Sequence, residues 1–122
     1  MLKDAGAVLF HSEDPLALVR FYHEILGLRP NFGGEDGAEF QLGALRIGIW
    51  QHSEMHGPAK DPDRIILNFL VDDCVAAYEN LKSKGVEFMK PPSDEDWGGR
   101  VARLATFRDP DGNLLQLLEF RS

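Results

Sequence analysis

Apolar and polar positions along the chain recur at two different spacings, and each change of spacing marks an element. Ala7, Val8, Leu9 and Phe10 form a short apolar run ahead of His11, which reads as a strand. Asp14 followed by Pro15 predicts a helix start, because Asp accepts hydrogen bonds from unpaired N–H groups and Pro is tolerated at the first helical position. Leu18, Tyr22 and Ile25 recur at helical spacing with Phe21 beside them, and Gly27 predicts the stop. Leu28 to Phe32 predicts a short strand, and Gly33 with Gly34 a turn. Ala38 to Leu42 and Leu45 to Gln51 predict two further strands joined through Gly43 and Ala44.

Residues 53–63 are polar and carry Gly57, Pro58 and Pro62, so they predict a linker. The same order then returns. Ile65 to Val71 predicts a strand. Asp72 and Asp73 can cap a helix carrying Val75, Tyr78 and Leu81, with Lys82 and Lys84 in the last turn where cations suit the helix dipole. Gly85 ends it. Val86 to Met89 predicts a strand, Pro91 to Gly99 a loop, and Arg100 to Arg108 and Asn113 to Phe120 two strands. The run Asp109 to Gly112 between them is a strong turn signal.

Asp14 to Gly27 and Asp72 to Gly85 span the same number of positions, so the chain predicts two βαβββ modules, about 5–52 and 64–120, joined by 53–63 in one α+β domain over 1–122. One such module with a single helix cannot cover both faces of its sheet. The expectation is a curved mixed sheet around a cleft, with the helices on the convex side.

Composition narrows the function classes. With 20 acidic and 13 basic residues the net charge is −7, which argues against nucleic acid or an anionic membrane as partner. A single cysteine, Cys74, excludes an intrachain disulfide. Residues 1–6 lack the apolar stretch of a signal peptide, and no apolar run approaches the ~18 residues of a membrane span. A cytoplasmic protein is the expectation.

At this point the motifs support a family reading. The run from Glu13-Asp14-Pro15 through Phe21-Tyr22 to Leu26-Gly27-Leu28 resembles the first helix of the vicinal-oxygen-chelate family, which includes glyoxalases, bleomycin-resistance proteins and extradiol dioxygenases. Phe107 to Leu117, with Asp109-Pro110-Asp111-Gly112 inside it, is similar to that family's C-terminal signature, and Trp97-Gly98-Gly99 recurs in many members. The resemblance implies paired modules around a U-shaped cleft, often completed in a homodimer. It also implies four His or Glu metal ligands, two per module. Here those positions fall on Ala7, Gly48, Ile66 (or Ile65 with a one-residue slip) and Gln116, so neither a metal cofactor nor the chemistry that depends on it is carried over.

Strand alternation groups Ala7, Leu9 and His11 on one face, Gly48, Trp50 and His52 on another, and Leu114, Gln116, Leu118 and Phe120 on a third. The family alignment turns these faces toward the cleft. The candidate ligand-binding residues are therefore His11, Trp50, His52, Trp97 and Gln116, with no catalytic residue and no metal. Against this stands ordinary packing, with Gln116 a satisfied core amide. Trp97, in the acidic stretch Ser93 to Arg100, reads either as a lid residue hinged at Gly98 and Gly99 or as packing under a solvated loop. Acids near the mouth would favour a cationic ligand. His52, Glu54 and His56 alternate but sit at a linker, where a solvated loop is the plainer reading. His11, His52 and Gln116 form a second conceivable cluster. His23 is expected on the surface, Cys74 unreactive, and Asp109 to Gly112 a hairpin turn. The leading expectation is a metal-free binder of a small aromatic or amphipathic molecule, similar to the bleomycin-resistance branch. The alternatives are a lyase, isomerase or dioxygenase with a displaced metal, and a regulatory or assembly module.

Overall fold

A computed structural model describes residues 1–51 and 54–121 and divides into two compact units, Met1–Pro58 and Ala59–Ser122. In the first unit, β1 (Ala7–Ser12) leads into α1 (Pro15–Arg20), which continues as a wider π-type turn over Phe21–Ile25. There follow β2 (Pro30–Gly34), β3 (Gly37–Leu42) and β4 (Leu45–Gln51). The sheet order is β1-β4-β3-β2, with β1 and β4 parallel and the other pairs antiparallel. The second unit repeats this plan. It comprises β5 (Ile66–Leu70), α2 (Cys74–Ser83), β6 (Phe88–Trp97), β7 (Arg100–Arg108) and β8 (Leu114–Phe120), in the order β5-β8-β7-β6 with β5 and β8 parallel. The hydrogen-bonded ladders thus form two four-stranded mixed sheets of one topology, as the tandem βαβββ pattern predicts.

Both helices start on an aspartate. Asp14 Oδ1 accepts from the Ala17 N–H at 3.2 Å, and Asp73 Oδ1 accepts from the Ala76 N–H at 3.0 Å. The second cap is therefore Asp73 and not Asp72, and the two helical segments differ by one residue. The Phe21–Ile25 turn absorbs the difference: Leu26 N–H bonds Phe21 O, one residue further back than in an α-helix.

Each helix covers one face of its own sheet. Leu18 and Tyr22 are fully buried with Phe40, Ile47 and Ile49. The Tyr22 ring lies 6.0 Å from Phe10 and 6.3 Å from Phe40. In the second unit Tyr78 packs edge-on to Phe88 at 4.6 Å, Phe88 lies 5.0 Å from Phe107, and Phe107 and Leu115 are fully buried. Each such burial stabilises by about 1.5–3 kcal/mol before the entropy of ordering is counted.

Two sequence expectations are corrected. Gly33 and Gly34 belong to β2, and the turn falls at Glu35 and Asp36. The stretch 91–99 is mostly strand: β6 runs to Trp97, pairs with β7, and ends in a two-residue turn. Gly98 and Gly99 have φ of 63° and 91°, the left-handed pair that a tight hairpin needs and most side chains resist. They shape a turn and are not hinges of a loop. Pro91 and Pro92 fall at a break in register between Lys90 and Ser93. Proline is tolerated there because β6 is the outer strand and lacks a ladder partner on one side.

Candidate functional site

The helices leave one face of each sheet uncovered by helix, and strand alternation decides which side chains stand there. In the first unit Val8, Phe10 and Ser12 turn toward α1, so Ala7, Leu9 and His11 stand on the other side. Register places Leu9 beside Gly48 and His11 beside Trp50, with Glu39 and Gly37 next across β3. Phe32, opposite Glu39 on β2, brings its ring to 5.8 Å from Trp50. Leu9 and Phe32, at the two ends of one row across the sheet, remain 58% and 57% exposed, which is unusual for large apolar side chains. Asn31, Glu39 and Gln41 form a polar margin, with the Asn31 amide donating to Glu39 Oε2 at 3.4 Å and Gln41 Oε1 at 3.5 Å.

Two glycines make this surface. A Cβ on Gly37, at φ +147°, would lie 1.8 Å from the Ile49 carbonyl oxygen and 2.8 Å from the Trp50 ring. A Cβ on Gly48 would lie 2.6 Å from Leu9 Cδ2 and 2.8 Å from Trp50 Nε1. The side chains of Leu9 and Trp50 therefore close over Gly48 and use the space a larger residue would fill.

This bears on a metal. Of the four positions where the family resemblance implies ligands, Ala7, Gly48 and Ile66 offer no donor atom, Gln116 offers one amide, and the Gly48 position is covered by apolar and indole atoms. Among the described residues no three His, Cys, Asp or Glu side chains are grouped closely enough to hold an ion. The donor set does not fit a divalent cation, and no reaction step is derived through one.

In the second unit Glu119 turns toward the helix, where Oε1 accepts from the Cys74 N–H at 2.8 Å. Leu114, Gln116, Leu118 and Phe120 stand on the opposite face. Asn68, Gln116 and Thr106 lie in register across three strands, a row of neutral polar groups. Gln116 is half-buried, and among the described residues its amide has no side-chain hydrogen bond. Ala102, Leu104 and Leu118 form a buried apolar cluster against which Phe120 packs. Trp97 meets Phe120 edge-on at 6.1 Å, and the Arg100 guanidinium stacks 3.7 Å above the same ring.

The acids of this hairpin all have internal tasks. Asp94 holds Arg103 through two contacts, at 2.7 and 3.2 Å, and this bond keeps its carboxyl below the usual range. Glu95 accepts from the Trp97 indole N–H at 3.2 Å, and Asp96 from the Gly99 N–H at 2.8 Å. Only Asp94 is offset by a cation; Glu95 and Asp96 bond neutral N–H groups and keep their charge at the surface.

Of the sequence-predicted residues, His11 and Trp50 are register neighbours, Gln116 and Trp97 stand in the second unit, and His52 lies outside the described residues. From the His52, Glu54 and His56 set, His56 Nδ1 pairs with Glu13 Oε1 at 3.6 Å. Glu13 also accepts from the Gly57 N–H, and these two partners lower its pKa, the Gly57 bond most. His23 is exposed and its Nδ1 bonds Leu28 O at 2.8 Å, tying down the chain after the helix. Cys74 is buried, and desolvation, then Glu119, raises its pKa, which suits an inert thiol. The Asp109 carboxylate accepts from the N–H groups of Asp111 and Asn113 and from the Asn113 amide, shaping the turn. Phe32 and Arg100 were missed. Phe32 lay at the end of a weakly patterned strand, and the signal for Arg100 was its place directly after the Gly-Gly pair.

Comparison with known proteins agrees with this architecture. No helix among the described residues is long and apolar enough to cross a membrane. The family model for the glyoxalase/bleomycin resistance protein/dioxygenase superfamily matches residues 7–117. The Bacillus subtilis protein YetH is 30% identical, covering 98% of this chain and 100% of its own length. A second Bacillus subtilis protein, YraH, is 33% identical over 112 residues, 81% of this chain and 84% of its own length. Among solved structures, a Salmonella typhimurium virulence protein superimposes with TM-score 0.77 at 19% identity, covering 98% of each chain. A glyoxalase/bleomycin resistance protein/dioxygenase from Nocardioides gives 0.75 at 20% identity, over 98% of this chain and 85% of that one. Matched by sequence over nearly its full length and by topology in both units, the chain belongs to the glyoxalase/bleomycin resistance protein/dioxygenase superfamily.

Proposed function

We propose that this chain binds a small aromatic or amphipathic molecule on a helix-free sheet face, and does so without a metal. One observation carries the reading: Leu9 and Trp50 fold over Gly48 where a ligand-bearing side chain would otherwise stand, and with Phe32 they leave an apolar surface facing outward. Such a surface with a few polar groups at its margin is the usual form of a small-ligand site. Trp50 and His11 belong to the first unit's surface, Trp97 and Gln116 to the second's, and His52 follows directly on β4 in sequence. Aromatic rings supply stacking, and the Gln116 amide supplies a directional contact. No residue is required to act as acid, base or nucleophile. The same reading takes the chain as a cytoplasmic homodimer, supported by its single buried cysteine and by the exposed Ile66 and Leu70 on β5, the other edge strand of the second sheet, with exposed Ile65 just before it.

The test is a thermal-shift screen of aromatic and amphipathic compounds, with metal analysis of the purified protein. A hit should lose about tenfold in affinity in Trp50→Ala or in Trp97→Ala, according to the unit that holds it, and less in His11→Ala. Stoichiometric Zn, Ni, Mn or Fe, with turnover that His11→Ala abolishes, would establish instead a metal-dependent lyase, isomerase or dioxygenase.

A further inference from the structure

We propose that Arg100 is an anion-binding group on the helix-free face of the second unit, so that the molecule taken there carries a carboxylate, sulfonate or phosphate beside its aromatic part. This rests on the ligand-binding reading above and names the chemical class of the ligand.

The argument begins with the turn. Trp97 and Arg100 are the paired residues that flank Gly98 and Gly99, so a two-residue hairpin sets their side chains on the same face. Phe120 of β8 supplies a common wall for both, with Trp97 on its edge and Arg100 over its ring. A guanidinium stacked on a ring keeps its plane fixed, while its N–H groups point outward around the rim. Those N–H groups are the part that recognises an oxyanion, two at a time.

The cations and acids nearby then decide what Arg100 is for. Arg103 is held by Asp94 at 2.7 Å, Arg108 by Asp63 at 2.8 Å, and Arg121 by Glu119 at 3.4 Å. Asp96 and Glu95 are engaged by the Gly99 N–H and the Trp97 indole. Among the described residues of β7 and β8, Arg100 is the arginine that has a ring and no carboxylate as partner. The chain carries seven more acidic than basic residues, so an arginine left without an acid is not explained by a shortage of partners. An aromatic ligand lying against Trp97 and Phe120 would bring its own anion to that rim.

The experiment uses the Trp50→Phe protein, in which Trp97 is the sole tryptophan. Its emission is titrated with 1-anilinonaphthalene-8-sulfonate and, separately, with N-phenyl-1-naphthylamine, which keeps the rings and lacks the sulfonate. The sulfonate is expected to quench Trp97 with about tenfold higher affinity than the neutral probe, an advantage that shrinks as salt rises from about 0.05 to 0.5 M. Arg100→Gln should remove the advantage and leave the neutral probe unchanged, and Arg100→Lys should keep part of it. Equal affinities in the starting protein, or an advantage that survives Arg100→Gln, overturns the role of Arg100 while ligand binding stands. Failure of both probes to quench Trp97, with no rise in 1-anilinonaphthalene-8-sulfonate emission on adding wild-type protein, overturns the aromatic site itself.

Discussion

Trp50 Nε1 stands 2.8 Å from the place a Cβ on Gly48 would occupy, with Leu9 Cδ2 on the other side at 2.6 Å. Both obstacles are side-chain atoms at a surface, so a methyl group can enter by displacing them. Gly48→Ala is expected to cost about 1–2 kcal/mol, as overpacking does, and to shift Trp50 emission. Gly48→His should cost more and bind Zn only weakly, because the imidazole must first expel the indole and then has Glu39 opposite it as the one donor in register. Urea unfolding and a Zn titration measure the two effects. Tight, stoichiometric Zn binding by Gly48→His would show that the site is only short of a ligand.

Gly37 differs in kind. Its added Cβ would meet the Ile49 carbonyl oxygen at 1.8 Å, and backbone cannot swing aside. Its φ of +147° is also unfavourable for other residues. Gly37→Ala should therefore destabilise by about 3 kcal/mol or more, well beyond Gly48→Ala. Equal denaturation midpoints for the two variants would contradict the close passage of β3 and β4.

Acid should weaken the fold through two carboxylates. Asp94 is held below its ordinary value of 3.8 chiefly by the bond to Arg103, and Glu13 below 4.5 chiefly by the Gly57 N–H. A carboxyl lowered on folding stabilises above its unfolded value, and that contribution disappears as pH falls through the folded value. The melting temperatures of wild type and Asp94→Asn should thus differ near neutral pH and converge between about pH 4 and pH 2. A constant gap across that range would show that the carboxylate contributes nothing as a charge.

Cys74 should be a poor nucleophile. Burial raises its pKa first, and Glu119 adds to it. Reaction with a thiol-specific disulfide reagent at pH 8 should be about tenfold or more slower in the native protein than in denaturant. Comparable rates would mean that the start of α2 opens readily.

Legibility in the sequence followed local chemistry. Both ends of β7 were readable because Gly99 and Asp109 punctuate it, and alternation with the family resemblance turned the His11 and Trp50 faces to the same side. β6 was hidden because Pro91 and Pro92 imitate a loop, and an outer strand accepts them. Phe32 was hidden because all of β2 is exposed and so has no buried face to set a period. The use of the hairpin acids was not readable either. Which base an acid meets across a sheet depends on register, as Asp94 facing Arg103 shows, and register is settled by turns and bulges together.

The wide turn at Phe21–Ile25 gives the first unit its tolerance of an unequal length. One surplus residue in a strand would exchange the inward and outward sides of everything beyond it, and Leu9, Gly48 and Trp50 could not then meet. Lodged in a helix, the same residue merely loosens one coil, and the chain enters β2 with its alternation intact. The two units have therefore been free to diverge in helix length while keeping an identical order of strands.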